Sequence, residues 1–329
     1  MSKGQLVTVF GGSGFVGRHV VRALTRDGWR VRVASRRPDL AFYLQPLGRT
    51  GQTQAVQANL RDPVSVSAAL RGASAAINLA GILAPTGAQT FDAVQHLGAQ
   101  IVAQAVKAAG IEKFVHVSAI GADINSASAY ARSKGEGEAS VHEALPSAVI
   151  LRPSLVFGPE DDFFNRFAAL ARMSPVMPLI GGGKTLFQPV YVGDLAQAVA
   201  LAVAGNAKAG TIYELGGPQQ RDFSSLLHYI CDVTGRHRLF VPLPFGAARL
   251  FAGVTEIASK LSLGLYPKML TMTRDQVLLL QSDNIVSKAA ESEGRTLAGL
   301  GITAETIEAI VPSYLARFRK SGEFSAAQP

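Results

Sequence analysis

Gly11-Gly12-Ser13-Gly14-Phe15-Val16-Gly17 is the stretch from which the fold can be read. Glycines recur at spacing three, as Gly11, Gly14 and Gly17. An apolar, strand-like run at 6–10 precedes them, and 15–27 follows with helical spacing through Phe15, Val16, Val20, Ala23 and Leu24. Such a strand–turn–helix needs one glycine for the tight turn, a second where the backbone approaches a pyrophosphate, and a third where helix and strand pack closely. The helix start adds free N–H groups and the positive end of its dipole. Gly11, Ser13, Gly14, Phe15, Val16 and Gly17 are therefore the expected cradle of a dinucleotide. A purely structural glycine turn is the alternative, and the repeated βα pattern that follows argues against it.

Residues 30–35 alternate Val31 and Val33 with Arg30 and Arg32, the period-two mark of a strand. Further strands are expected at 55–57, 75–79, 114–117 and 148–151, with helices at 63–70, 91–109 and 127–144 between them. Strands alternating with helices require crossovers, hence a parallel sheet covered on both faces. After Pro153 the rhythm changes. A helix is expected at 163–173, then Pro175, Pro178 and Gly181–Gly183 break the chain. A strand at 190–191, a helix at 195–204 capped by Asp194, a strand at 211–215 and helices at 224–233, 247–263 and 304–320 complete the reading, with a kink at Pro312. The predicted fold is an α/β Rossmann-type doubly wound parallel sheet with a smaller C-terminal α/β lobe. The Rossmann domain is placed at 1–153, the partly interleaved lobe at 154–320 and a frayed tail at 321–329.

Of 329 residues, 48% are hydrophobic and 17% charged, which excludes a disordered chain. A single cysteine, Cys231, excludes a disulfide framework and a Cys-based zinc site. Residues 1–71 hold eleven Lys or Arg against three acids, the whole net charge of +8. One basic corner on a balanced chain points to a local anionic partner: a phosphorylated cofactor, lipid headgroups or an acidic protein face. Nucleic acid is not expected, because no basic stripe interleaved with aromatics and no helix-turn-helix pattern is present. Ser35-Arg36-Arg37 ends the second strand, where an NAD site carries an acid for the ribose 2′-OH. With no acid from Ala34 to Pro38, Arg36 and Arg37 are assigned to a 2′-phosphate, and NADP(H) is expected over NAD(H). The absence of an apolar run of spanning length and of a signal-peptide pattern makes the cytoplasm the expected compartment.

Tyr130 and Lys134 stand four apart in a helical segment, on one face. A fixed ammonium favours the phenolate and makes tyrosine a usable acid/base. Ser118 follows the strand at 114–117, at the end where α/β ligand sites form. Ser118, Tyr130 and Lys134 are the expected catalytic set, against the plainer reading of a cap serine and a surface pair.

With these motifs the chain resembles the short-chain dehydrogenase/reductase superfamily, in its extended or atypical branch. The resemblance assigns Asn59 and Leu60 to the adenine, matches Asn78-Leu79-Ala80-Gly81 to a cofactor-side segment, and sets Leu151-Arg152-Pro153, with Val156-Phe157-Gly158-Pro159, beside the nicotinamide. Tyr130, Lys134 and Pro153 thereby join the cofactor residues. A narrower likeness is to the alpha-subcomplex subunit nine family, the nucleotide-binding accessory subunits of respiratory complex I. The run 160–167, EDDFFNRF, is its most specific segment. That resemblance implies an NADP(H)-binding accessory or assembly subunit, touching complex I subunits and the membrane surface, cytoplasmic or peripheral on the cytoplasmic face of the inner membrane. The alternative it implies is an active NADP-dependent oxidoreductase or epimerase, with links to quinone metabolism. Gln95-His96-Leu97-Gly98 departs from the Asn-x-x-Gly that active extended members carry.

The six histidines lack ligand spacing, so no metal is expected, and His116 is read as a satisfied core residue. Cys231 is read as a buried, inert thiol. Gly181–Gly183 followed by Lys184-Thr185 imitates a phosphate loop, but Pro178 stands at its first glycine position and a strand follows, so it is read as a turn. The segment 245–280 mixes Leu, Phe and Met with Arg249, Lys260, Lys268 and Arg274. Core packing is the expectation there, with headgroup or protein contact as the alternative.

Overall fold

A computed structural model describes residues 4–261, 272–320 and 322. The first half runs β1 (Leu6–Phe10), α1 (Phe15–Arg26), β2 (Arg30–Ser35), β3 (Thr53–Gln57), α2 (Pro63–Leu70), β4 (Ala75–Asn78), α3 (Leu97–Ala108), β5 (Lys113–Val117), α4 (Ala129–Ala144) and β6 (Val149–Pro153). Then come β7 (Val156–Phe157), α5 (Phe163–Met173), β8 (Val176–Ile180), β9 (Leu186–Phe187), β10 (Val190–Tyr191), α6 (Val192–Ala204), β11 (Ile212–Leu215), β12 (Arg221–Asp222), α7 (Phe223–Val233) and β13 (Leu239–Leu243). The described elements end with α8 (Phe245–Leu261), α9 (Arg274–Leu279), α10 (Lys288–Ser292) and α11 (Ile307–Leu315).

The chain divides into two units, one from 1–153, 192–215 and 286–304, the other from the intervening segments and the C-terminal part. The first unit holds a seven-stranded sheet of order β3-β2-β1-β4-β5-β6-β11, with every pairing parallel. The Rossmann-type fold is thus present, and its last strand comes from residues 212–215, beyond the first half of the chain. Strand order reverses between β1 and β4, so the crevice outside their carboxyl ends is the switch point where such sheets bind ligands. Val7 and Val9 of β1, Val31 and Val33 of β2 and Ile77 of β4 are buried, as both-face coverage demands. Arg32 departs from simple outward alternation: its guanidinium donates to the carbonyls of Ala69, in the last turn of α2, and of Arg71, just past it, at 2.8 and 2.7 Å.

In the second unit, Phe157, Phe164, Met177, Phe223, Leu227 and Ile230 belong to its own core. Its strands form three two-stranded ribbons, β7 with β10, β9 with β12, and β8 with β13.

Several local expectations are corrected. The segment expected to break at Pro175 and Pro178 forms β8, and Pro178 is tolerated because a two-stranded ribbon leaves each strand an edge without ladder bonds. α6 begins at Val192, so Asp194 lies buried in its first turn instead of capping it. The helix expected at 91–109 starts as a π-helical turn, Asp92–His96, before α3. The last long helix shortens to α11, capped by the Thr306 hydroxyl accepting from Ala309 N at 3.2 Å; it passes through Pro312 and ends in a 3-10 turn at Ala316–Phe318. Residues 38–47, for which no element is expected, form a 3-10 stretch. Positions 262–263 of the expected helix at 247–263, and the tail apart from 322, lie outside the described residues.

Candidate cofactor and catalytic site

Gly11 turns the chain at φ +77°, a region that penalises any side chain. A Cβ there would also stand 3.0 Å from Ala80 N, so the glycine turn lies directly on the segment leaving β4. At Gly17 a Cβ would stand 2.5 Å from the Gly12 carbonyl carbon and would overlap the Gly11 carbonyl oxygen; helix and turn pack backbone to backbone. Gly14 is different. Its Cβ would meet only the Gly11 oxygen, at 3.4 Å, and no side chain caps α1. The first-turn N–H groups of α1 therefore face an open cradle lined by backbone, which fits a pyrophosphate.

Ser13 Oγ donates to Ser35 Oγ at 3.2 Å, tying the turn to the end of β2. Tyr43, from the unexpected 3-10 stretch, donates to the Ser13 carbonyl at 2.5 Å, and the Arg18 guanidinium lies 5.0 Å from its ring centre. The two arginines separate here. Arg37 is spent on a bidentate pair with Asp39 at 2.7–3.2 Å, whereas Arg36 is exposed and makes no hydrogen bond or ion pair among the described residues. Asn59 turns its carboxamide oxygen to Arg61 N at 3.2 Å, and Leu60 packs against Gly98 of α3. Pro153 ends β6 buried, its carbonyl accepting from Ile120 N at 3.0 Å.

Across the switch point, α4 carries the Tyr130/Lys134 pair. It starts where Ser128 Oγ accepts from Ala131 N at 3.2 Å. Gly135 and Gly137 let it approach closely: a Cβ at Gly135 would be 2.6 Å from Ile124 N, and one at Gly137 would overlap the Gln95 carbonyl. Lys134 is only 5% exposed, and its Nζ donates to the Val117 carbonyl at 3.2 Å, beside Ser118. Burial pulls its ammonium down from 10.5 to about 8, with Glu138 acting the other way. A Cβ on Gly81 would stand 3.4 Å from Nζ, so the lysine also borders the segment at 79–81. Tyr130 stacks edge-on against Phe91, with ring centres 5.7 Å apart. Ser118 is 4% exposed and its Oγ has no hydrogen-bond partner among the described residues. An orphaned buried hydroxyl next to a buried cation fits a bound carbonyl or alcohol oxygen. When a nicotinamide dinucleotide is bound it supplies or accepts hydride. Gly11–Gly17 and Leu79–Gly81 would hold it, Ser118 would orient an oxygen, and Tyr130 would exchange a proton at its hydroxyl.

Three supports act through contacts that the sequence does not announce, although Asn78 and Gln95 lie in segments it singles out. Asn78 Oδ1 accepts from Ala80 N at 3.1 Å while Nδ2 meets His116 Nδ1 at 3.2 Å, so the histidine proton sits on Nε2. That N–H has no partner, which corrects the reading of His116 as satisfied. Burial first, and then the charge of Lys134, push His116 down to about 3, so it stays neutral. Gln95 is buried; its Oε1 accepts from Ser133 Oγ at 2.9 Å and its Nε2 donates to the Ile82 carbonyl at 3.2 Å. The longer amide thus clamps α4 to the loop after Gly81. Glu138 holds Arg152 through bonds of 2.6–3.2 Å. A helical i,i+4 spacing from Lys134 was the one available hint of Glu138.

Spacing also concealed a cluster. Asp92 and His96 pair at 2.8 Å, and a Glu136 carboxylate oxygen lies 3.6 Å from the same ring nitrogen. In the second unit, Asp161 of the run 160–167 accepts from Phe164 N and the Tyr314 hydroxyl, both at 2.6 Å, and burial raises its carboxyl. That segment is thereby tied to α11. Cys231 is buried in α7, and burial raises its thiol.

The sequence profile of the NAD dependent epimerase/dehydratase family matches residues 7–216. The NADH dehydrogenase [ubiquinone] 1 alpha subcomplex subunit 9 of Arabidopsis thaliana is 32% identical over 97% of this chain and 79% of its own length. The Mus musculus protein of the same name is 37% identical over 73% of this chain, but the alignment spans 64% of that protein, just under two thirds. Among solved structures, the NADPH-dependent quinone oxidoreductase of Escherichia coli, complexed with NADPH, superposes with a TM-score of 0.72 at 20% identity, covering 94% of this chain and 99% of the other. A likeness that distant carries the fold and not the activity. The glycine turn, the switch-point crevice and these matches agree, and the chain belongs to the NAD dependent epimerase/dehydratase family, with the subunit 9 proteins among its relatives.

Proposed function

We propose that this chain is an NADP(H)-binding accessory or assembly subunit of respiratory complex I, held at the cytoplasmic face of the membrane that carries the complex. The observation that carries the reading is the 32% identity to a named complex I subunit across 97% of the chain. The free Arg36 and the absence of an acid from Ala34 to Pro38 favour the 2′-phosphorylated cofactor. Bound nucleotide would stabilise the first unit by mass action. Among the described residues no helix is long and apolar enough to cross a membrane, which is compatible with peripheral attachment.

The second reading is an active NADP-dependent oxidoreductase or epimerase. The orphaned Ser118 hydroxyl beside Lys134 supports it. The clamp formed by Gln95 weighs on the other side, because it fills the position where active extended members place a shorter amide.

Tagged protein, recovered from detergent-solubilised membranes and run on a native gel, separates the two. The first reading expects migration with NADH dehydrogenase activity, unaltered by Tyr130→Phe. A freely migrating protein whose turnover Tyr130→Phe abolishes would replace it with the second.

A further inference from the structure

Helix α8 carries apolar residues on both sides. Ala248, Ala252 and Thr255 are buried with Val277 of α9, which satisfies the expectation of core packing for part of the segment 245–280. The opposite face should then be polar. Instead it presents Leu250 at 74% exposure, Phe251 at 52%, Val254 at 65% and Ile257 at 57%. Leu250, Val254 and Ile257 follow i, i+4, i+7 helical spacing, so they form one stripe, with Gly253 buried along its edge.

Gly253 leaves room in that stripe for the Arg274 guanidinium, whose Nε would stand 2.8 Å from a Cβ built there. Arg274 is exposed and its guanidinium has no carboxylate partner among the described residues; its backbone N–H, not its side chain, meets Glu256, at 2.8 Å. Arg249, one position before Leu250, is likewise exposed and has no ion-pair partner among the described residues. Two uncompensated guanidinium groups set among large apolar side chains, on a helix too short and too buried on one side to span a bilayer, match an anionic lipid surface.

We propose that the exposed face of α8, with Arg249 and Arg274, docks this chain on a membrane containing anionic lipid. The apolar stripe enters the headgroup boundary and the arginines pair with lipid phosphates. A protein partner with an apolar groove would have no comparable need for both cations. The inference deepens the peripheral placement in the proposed function, and it is testable without the complex.

The test uses the full purified chain and sedimentation with vesicles of phosphatidylcholine alone or mixed with phosphatidylglycerol. The wild type should bind the mixed vesicles and release with salt. Arg249→Gln with Arg274→Gln should weaken binding about 25-fold, at about fivefold for each basic residue near a charged surface. Leu250→Gln with Val254→Gln should weaken it at least about tenfold, because the apolar contribution is lost. Unchanged melting temperatures would show that these variants fold. The proposal is overturned if the wild type ignores both vesicles, if both double variants bind as tightly as the wild type, or if the stripe instead supports a concentration-dependent dimer that Leu250→Gln with Val254→Gln dissolves. Loss of vesicle binding with intact comigration on native gels would sink the lipid surface and leave the complex I reading standing; the reverse result would do the opposite.

Discussion

Lys134→Met removes a charge that the fold holds at a cost. Burial lowers the Lys134 ammonium from 10.5 to about 8. That difference corresponds to about 3 kcal/mol borne by the folded state at neutral pH, where the group is charged folded or unfolded. Methionine keeps much of the stem's packing but deletes the 3.2 Å bond to the Val117 carbonyl, worth about 1 kcal/mol. The variant without nucleotide should therefore be more stable than the wild type by about 2 kcal/mol at neutral pH. The folded-state value lies below the unfolded one, so between pH 8 and 10.5 the unfolded chain binds more protons at this site. Wild-type stability should rise relative to the variant across that window, and the variant's advantage should vanish and reverse. Urea unfolding of both proteins from about pH 7 to about pH 10, followed by circular dichroism, reads the difference. A stability gap that does not move with pH would refute the reasoning.

Three further outcomes follow from the geometry. Gly17→Ala places a Cβ against the Gly11–Gly12 backbone and should cost more than about 2 kcal/mol by urea unfolding, whereas Gly14→Ala should keep stability within about 1 kcal/mol yet weaken dinucleotide binding in calorimetry; equal stabilities would contradict the packing role of Gly17. Arg36→Glu should weaken NADPH binding at least about tenfold and spare NADH, while Arg37→Ala, already paired with Asp39, should do less; equal losses for both cofactors would count against a 2′-phosphate contact. Glu138→Gln should destabilise by about 3 kcal/mol, because it strands Arg152, and a loss below about 1 kcal/mol would mean that Glu214, 3.8 Å away, compensates.

The sheet was legible because its signals are local. Period-two burial in Val31 and Val33, the glycines at spacing three, and the Tyr130/Lys134 pair each need only a few neighbouring residues. The second half was less legible because its strands exist through distant partners. β8 tolerates Pro178 only because β13, some 60 residues on, supplies one side of a ribbon and leaves the other free. β11 reaches the first unit's sheet by pairing with β6, a long-range choice that no local pattern announces. At the site, Gln95, His116 and Asn78 act through buried hydrogen bonds to backbone and to each other, and these depend on the π-helical turn and on strand register. Arg36 and Arg37 look equivalent in sequence; only the bidentate bond to Asp39 distinguishes them.

The central claim is that the cradle at Gly11–Gly17 holds a phosphorylated dinucleotide within a respiratory assembly. Mass spectrometry of the nucleotide released from the tagged chain, after isolation from native membranes, tests it most directly. The account predicts NADP(H), near one per chain, in the fraction that migrates with NADH dehydrogenase activity. A fraction free of any dinucleotide, from protein shown to be folded, would contradict it.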